Sequence, residues 1–235
     1  MTPEAYTEAF GRLRQQSGAT KERFELSNDA IWPILNEDTD QTGFDRHYVY
    51  HPAWACRVLK RTKPALHYDF SSTLNFVAMA SAWVPITFCD YRPAALQLDG
   101  LATRRENLTQ LSFPDNSLDS VSCMHVLEHI GLGRYGDVLD YDGDLKAVAE
   151  LIRVVRKGGD LLIVLPLGRI ARIQFNAHRI YTWATVLEMF RDRFDLVESA
   201  LIPEQQNLGL VYSPDESLLN TQTLGCGCFW FKKKS

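Results

Sequence analysis

Val154-Val-Arg-Lys-Gly-Gly-Asp-Leu-Leu-Ile-Val-Leu165 is the stretch on which the fold turns. Its second half, Asp160 to Leu165, is almost wholly apolar, as suits a central parallel strand covered on both faces. Ahead of it, Leu145, Val148, Leu151, Ile152 and Val155 recur at i, i+3 and i+4. That spacing predicts an amphipathic helix over 144–157, ended by Gly158-Gly159. Working outward, Ala65 to Phe70 reads as a short strand, Leu74 to Trp83 as a helix, and Val84 to Asp90 as a second strand ending in an acid. The turn Pro114-Asp-Asn-Ser leads into a strand over 117–123. A helix over 182–190, an outer strand over 194–202 and a final strand over 228–231 complete the series. Strands alternating with helices imply a doubly wound α/β sheet. The closing Lys232-Lys-Lys234 reads as protection of a strand edge.

The first 63 residues have a different character. Pro3 opens a short helix, residues 27–52 mix helix and loop signals, and His51 to Arg61 reads as a helix ending before Pro64. We expect residues 1–63 to form an N-terminal helical cap and residues 64–235 the α/β domain. The chain has 235 residues and a formal charge of −4, which argues against a nucleic-acid-binding surface. No apolar run is long enough to span a membrane. An odd count of five cysteines, the first three widely spaced, and a polar start point to a reducing, cytoplasmic setting. Cys226-Gly-Cys228 has no second pair at zinc spacing and reads as structural.

The stretch from about 65 to 200 resembles class I S-adenosylmethionine-dependent methyltransferases. The resemblance rests on Asp69-Phe-Ser-Ser-Thr-Leu-Asn75, Asp90, Leu111 to Ser122 and Val154 to Val164, in that order. It implies a Rossmann-like, mostly parallel sheet with an antiparallel last strand. His125 to Asp137, Phe175-Asn-Ala-His-Arg179 and Gly225-Cys-Gly-Cys-Phe229 are similar to a methyltransferase-like family first catalogued from nematodes. Its bacterial members occur among surface-polysaccharide genes. The resemblance implies a cofactor site formed by Asp69, Ser71, Ser72, Asp90, Tyr91, Arg92, Asn107 and Leu108, with Asp90 holding the ribose hydroxyls. Ser71, Thr73 and Asn75 stand where that class usually has glycine.

His125-x-x-Glu128-His129 follows a strand and is expected to open a helix, where i, i+3 and i+4 share one face. Taken alone, H-x-x-E-H is a metallopeptidase motif. Some O-methyltransferases of the resembled class carry Glu-x-x-Glu-His here and bind a divalent metal. By that resemblance His125, Glu128, His129 and His178 are a candidate metal set. Without metal, the imidazoles are candidate general bases, so the same four residues are the candidate catalytic group. Arg134, Tyr135 and Asp137 in a glycine-rich loop, with Asn176 and Arg179, are candidate substrate contacts.

The expected activity is methyl transfer to an oxygen of a glycan or other small hydroxylated acceptor, the resemblance implying a surface polysaccharide or its precursor. Two alternatives stay open. The fold has abandoned the cofactor and uses its His/Glu cluster for another glycan reaction, or the protein is a non-catalytic partner.

Overall fold

The computed structural model describes residues 1–17, 24, 26 and 31–235. The chain divides into two compact units, Met1–Phe44 and Asp45–Ser235. The smaller contains helix α1 (Pro3–Ser17), with Pro3 at its first position and the Thr2 hydroxyl accepting from the Ala5 amide. The Met1 ammonium donates to the Leu35 carbonyl at 2.8 Å. Part of the stretch expected to mix helix and loop, residues 27–30, lies outside the described residues.

The larger unit begins with α2 (Arg46–Thr62), so the division falls at 44/45 and not at 63/64. The helix starts five residues ahead of the expected His51, because the Asp45 carboxylate caps it by accepting from the Tyr48 amide. Pro52 sits inside it. The lost backbone hydrogen bond is outweighed by burial of Trp54, Ala55, Val58 and Leu59.

There follow β1 (His67–Phe70), α3 (Leu74–Ala80), β2 (Ile86–Asp90), β3 (Leu101–Arg105), β4 (Leu118–Met124), α4 (Gly143–Val154) and β5 (Val155–Leu167). Next are β6 (Arg172–Gln174), β7 (His178–Ile180), α5 (Trp183–Phe190) and β8 (Phe194–Ile202). The last elements are β9 (Val211–Tyr212), α6 (Glu216–Asn220) and β10 (Gly225–Lys233). The main sheet has order β3-β2-β1-β4-β5-β10-β8-β9. Strands β1 to β5 are parallel, while β10 runs antiparallel to both β5 and β8. The strand order reverses between β1 and β4, where doubly wound sheets open a crevice at the strands' carboxyl ends.

The apolar run of β5 alternates between two cores. Leu161, Ile163 and Leu165 pack with α4 and α5, while Leu162 and Val164 pack with α2 and α3. Strand β10 does the same, with Phe229 and Phe231 on one face and Cys226 and Cys228 on the other.

Three details differ from the sequence expectation. Helix α4 ends at Val154, because Val155 is already extended and pairs with Leu118. The double glycine therefore sits in an irregular early part of β5, with Gly158 at φ +71°. The closing lysines guard no edge, since β10 is flanked on both sides. Lys233 instead donates to the carbonyl of Val155 at 2.7 Å, and Lys232 pairs with Asp160 at 2.9 Å. Strand β3 was missed altogether; it is a sheet edge with four of five residues exposed, so it carries no apolar pattern. Among the described residues no helix is long and apolar enough to cross a membrane.

Candidate functional site

The carboxyl ends of β1, β2, β3 and β4 surround a cavity of about 670 Å³. A second cavity of about 340 Å³ lies against it. Ser71, His125, His129 and Tyr135 line both.

The turn after β1 is built from serines. Ser71 adopts φ +57°, the left-handed conformation that favours glycine, and holds it through hydrogen bonds from its amide (2.9 Å) and hydroxyl (3.3 Å) to the Cys89 carbonyl. Ser72 accepts from the Met124 amide at 3.1 Å, and Thr73 caps α3. The backbone thus follows the path of a glycine turn while carrying side chains.

Asp69 lies beneath this turn, fully buried, and does not line either cavity. It accepts from the Ser72 amide at 3.0 Å and from the Ser122 hydroxyl. Ser122 in turn lies 2.8 Å from His67 Nε2, and His67 Nδ1 lies 2.8 Å from the Ser120 hydroxyl. With the Ser122 proton on Asp69, His67 must donate from Nε2 and accept at Nδ1. Asp69 therefore supports the turn from beneath and does not reach the cavity in which a cofactor contact was expected of it.

Burial pushes the Asp69 carboxyl up to about 6, against the opposing pull of Ser122 and Ser72. Between pH ~4 and ~6 the folded state keeps a proton that the unfolded state has lost, so stability contributed by this group falls as pH rises through that window. Asp69→Asn removes the titration. Its stability relative to the parent should improve by up to ~3 kcal/mol between pH ~4 and ~6 and stay level above, as read from paired denaturation curves.

Asp90 ends β2 on the wall of the larger cavity. Its Oδ1 accepts from the Arg92 amide at 2.6 Å, and Oδ2 has no partner among the described residues. Tyr91, Arg92, Asn107 and Leu108 line the same cavity. The Arg92 guanidinium stands 5.0 Å from the Tyr135 ring centre. Asn107 Oδ1 is engaged by the Thr109 amide and hydroxyl, so its amide group remains to face a ligand. Glu106 was missed. It lines the cavity too, but both its oxygens are taken by Arg104 and Ser112.

The His125-x-x-Glu-His129 group forms no α-helix. His125 adopts φ +58°, and Leu127–His129 is a single 3-10 turn. The three side chains still meet. His125 Nδ1 lies 2.8 Å from Glu128 Oε1, and His129 Nε2 lies 3.8 Å from the same oxygen. His129 Nδ1 is 2.7 Å from the Ala177 carbonyl. A carbonyl only accepts, so Nδ1 carries the proton and Nε2 is a bare lone pair. Burial holds His129 below the ordinary imidazole pKa, opposed by the Glu128 charge. His178 lines the smaller cavity with its Nε2 buried and unpartnered, and burial lowers its pKa also. Glu128 Oε2 is likewise buried without a partner.

His125, Glu128, His129 and His178 share one cavity wall, but they are not drawn together as a ligand set. Among the described residues, the one trio of ligand atoms close enough to share a metal is His47, His125 and Cys226. Sequence reasoning missed this neighbourhood. His47, Tyr48 and His51 on α2 all stack on or edge toward the His125 ring, at 5.1–5.5 Å between centroids. The signal available was His47-x-x-x-His51, two imidazoles one helical turn apart.

The expected substrate contacts divide. Arg134 and Tyr135 line the smaller cavity, with Arg134 donating to the Ala177 carbonyl at 3.0 Å. Asp137 turns back into its own loop and accepts from the amides of Gly131, Gly133 and Tyr135. Burial raises its pKa, but these amides outweigh it and hold the carboxylate below its usual value. Gly131, at φ +80°, has no room for a Cβ against the Asp140 carbonyl. Asn176 is exposed between β6 and β7 and lines neither cavity.

Arg179 is buried and fastens the same loop. It donates to the carbonyls of Ile130 (2.6 Å), Asp140 (3.2 Å) and Tyr141 (2.9 Å), and its Nε faces Asp144 at 3.5 Å. Asp137 and Arg179 thus shape the cavity wall by satisfying loop backbone. Arg179→Ala strands three carbonyls and leaves the buried Asp144 carboxylate with the Tyr181 hydroxyl but no cation. It should cost about 3 kcal/mol in urea denaturation, while exposed Asn176→Ala stays within about 0.5 kcal/mol.

Comparison with known proteins agrees with this architecture. The model of DUF268, described as a Caenorhabditis protein of unknown function, matches residues 105–213. No curated protein sequence matches the chain. Among solved structures, 1,6-didemethyltoxoflavin-N1-methyltransferase of Burkholderia thailandensis, with S-adenosylhomocysteine bound, superposes with a TM-score of 0.58 at 14% identity. That match covers 100% of this chain and 92% of the other. A putative methyltransferase in complex with its Trm112 activator from Haloferax volcanii gives 0.54 at 16% identity, over 81% and 90%. The [4+2]-cyclase SpnF gives 0.53 at 14%, over 78% of this chain and 81% of the other. The fold is that of the class I methyltransferases. A cyclase shares it, so the fold leaves the reaction to be argued from the site.

Proposed function

We propose that this protein is an S-adenosylmethionine-dependent O-methyltransferase whose acceptor is a small hydroxylated molecule, a sugar or sugar precursor. The observation that carries the reading is the pair of joined cavities: one walled by a free carboxylate oxygen of Asp90, the other by imidazoles with bare nitrogens.

The larger cavity is of a size that holds a nucleoside-sized ligand. Asp90 Oδ2 would accept the ribose hydroxyls, while Arg92, Asn107 and Leu108 on the same cavity lining would receive the adenine and Ser71 lines both cavities. When bound, S-adenosylmethionine supplies an electrophilic methyl group on a positively charged sulfur. In the smaller cavity His129 Nε2 takes the proton from the acceptor hydroxyl as that oxygen becomes nucleophilic. Glu128, 3.8 Å away, stabilises the imidazolium that results. The depressed pKa of His129 keeps it neutral, and so able to act as base, at neutral pH. Arg134 and the Tyr135 ring offer donors and a stacking face suited to a sugar.

The test is calorimetric titration of the full chain with S-adenosylmethionine and S-adenosylhomocysteine. Binding at one site supports the reading and justifies a screen of sugar acceptors for methyl transfer. No heat and no rise in melting temperature with either compound would overturn it. The His/Glu cavity would then belong to a reaction without the cofactor, as the side chains at the three usual glycine positions would suggest.

A further inference from the structure

We propose that His47, His125 and Cys226 form a binding site for a divalent transition metal, Zn²⁺ by preference, on the inner wall of the smaller cavity. The inference does not require the methyl-transfer reading, since it needs neither Asp90 nor the cofactor, although His125 borders both cavities and Glu128 faces both His125 and His129.

The three ligand atoms lie within 4.8 Å of one another. The Cys226 Sγ to His125 Nε2 edge is 3.3 Å. In a tetrahedral zinc site the corresponding sulfur–nitrogen edge is about 3.5 Å, from bonds of ~2.3 and ~2.05 Å. That edge is thus already near its ligating length, and the other two are no longer than 4.8 Å. The donor set of two imidazoles and one thiolate suits zinc, and is poor for magnesium or calcium.

A second, independent observation is the orientation of the rings. His125 gives its Nδ1 proton to Glu128 Oε1 at 2.8 Å, which leaves Nε2 as a lone pair toward Cys226. A carboxylate behind a ligating imidazole is the usual way such a ring is aimed and made more basic. His51 repeats the pattern on α2. Its Nδ1 lies 2.6 Å from the His47 carbonyl, so Nε2 is bare, and that nitrogen is buried with no partner. Its ring lies 5.1 Å from that of His125. His47, His51 and His125 thus gather at one place, with a bare, buried nitrogen on His51 and a thiol beside His125 Nε2.

Cys226, His125 and Glu128 also have the order of a nucleophile, base and orienting acid. The structure argues against that use. Cys226 is fully buried and does not line the cavity, so no substrate reaches its sulfur. His47 and His125 do line it, which leaves the fourth coordination place on the cavity side. There the ion would join α2, the turn that leaves β4, and β10, three places distant in the chain.

Cobalt(II) serves as the probe. The chelator-stripped full chain should bind one equivalent of Co²⁺, with a thiolate-to-metal charge-transfer band and the intense visible bands of a tetrahedral ion. Zn²⁺ should displace it. Cys226→Ser should abolish the charge-transfer band, and His47→Ala, on the partly exposed start of α2, should weaken binding about a hundredfold or more. Glu128→Gln should weaken it about ten- to a hundredfold while keeping the band. Two results would overturn the proposal. One is no tetrahedral cobalt spectrum in the folded parent. The other is a spectrum indifferent to His47→Ala, which keeps the test valid should Cys226→Ser not fold. Rapid alkylation of Cys226 in the metal-free folded protein, located by peptide mass, would also overturn it in favour of a reactive thiol.

Discussion

Asp90→Ala weakens S-adenosylhomocysteine binding by about 10²–10⁴-fold in calorimetry while leaving the melting temperature of the free protein almost unchanged. The carboxylate has one oxygen on its own turn, at the Arg92 amide, and one facing the larger cavity without a partner. Two ribose hydroxyls donating to a carboxylate are charge-assisted bonds worth ~1.5–3 kcal/mol each, and alanine removes both. Stability changes little because Asp90 is only half-buried at the end of its strand, and its one internal bond is to a turn. Asp90→Asn separates charge from shape: it keeps one acceptor and should recover part of the affinity. Unaltered binding in Asp90→Ala would place the ribose elsewhere.

His129→Ala lowers methyl transfer by about 10²–10⁴-fold at saturating cofactor, the range for loss of a positioned general base. Cofactor affinity should change far less, because the ring acts from the side shared with the smaller cavity. The pH profile is the discriminating readout. The neutral imidazole is the active form, so the rate rises as the ring loses its proton. Because burial depresses that pKa, the acidic limb should fall below pH ~6.5, with a plateau at neutral pH. The variant should lose this limb and retain the residual rate that positioning alone provides. His178→Ala, which removes a nitrogen already without a partner, should act mainly on acceptor KM if that ring binds the acceptor.

The centre of the sheet was legible because β5 and β10 are covered on both faces and announce themselves as hydrophobic runs. Strand β3 was not, since an edge strand facing water needs no such run. The reach of α2 back to Arg46 was hidden by Pro52, which reads as punctuation until the burial of Trp54 and Val58 is known. Asp90 and the His125/Glu128/His129 group were legible because each follows a strand at the carboxyl end of the sheet. His47 and Cys226 were not. Their approach to His125 depends on where α2 starts and on the pairing of β10 with β5, neither of which has a local signature. Asp137 and Arg179 looked like ligand contacts because polar groups cluster around them. They face inward because the loop from Ile130 to Tyr141 has amides and carbonyls that nothing else satisfies. A polar residue in a loop of this kind has two possible clients, and only packing decides between backbone and ligand.

The position of β10 has a consequence for synthesis. Strand β8 leaves the ribosome before β10, yet in the finished sheet β10 lies between β8 and β5. Until it arrives, the facing edges of β5 and β8 are both unpaired, and each is a template for the other. Translation at ~5–20 residues per second leaves this interval open for seconds. A nascent chain that closes the gap early locks out its own centre. The segment from Pro203 to Leu224, with its short β9 and α6, is the stretch of chain made in that interval. Its β9 pairs with the far edge of β8, so the edge that awaits β10 is the one left open.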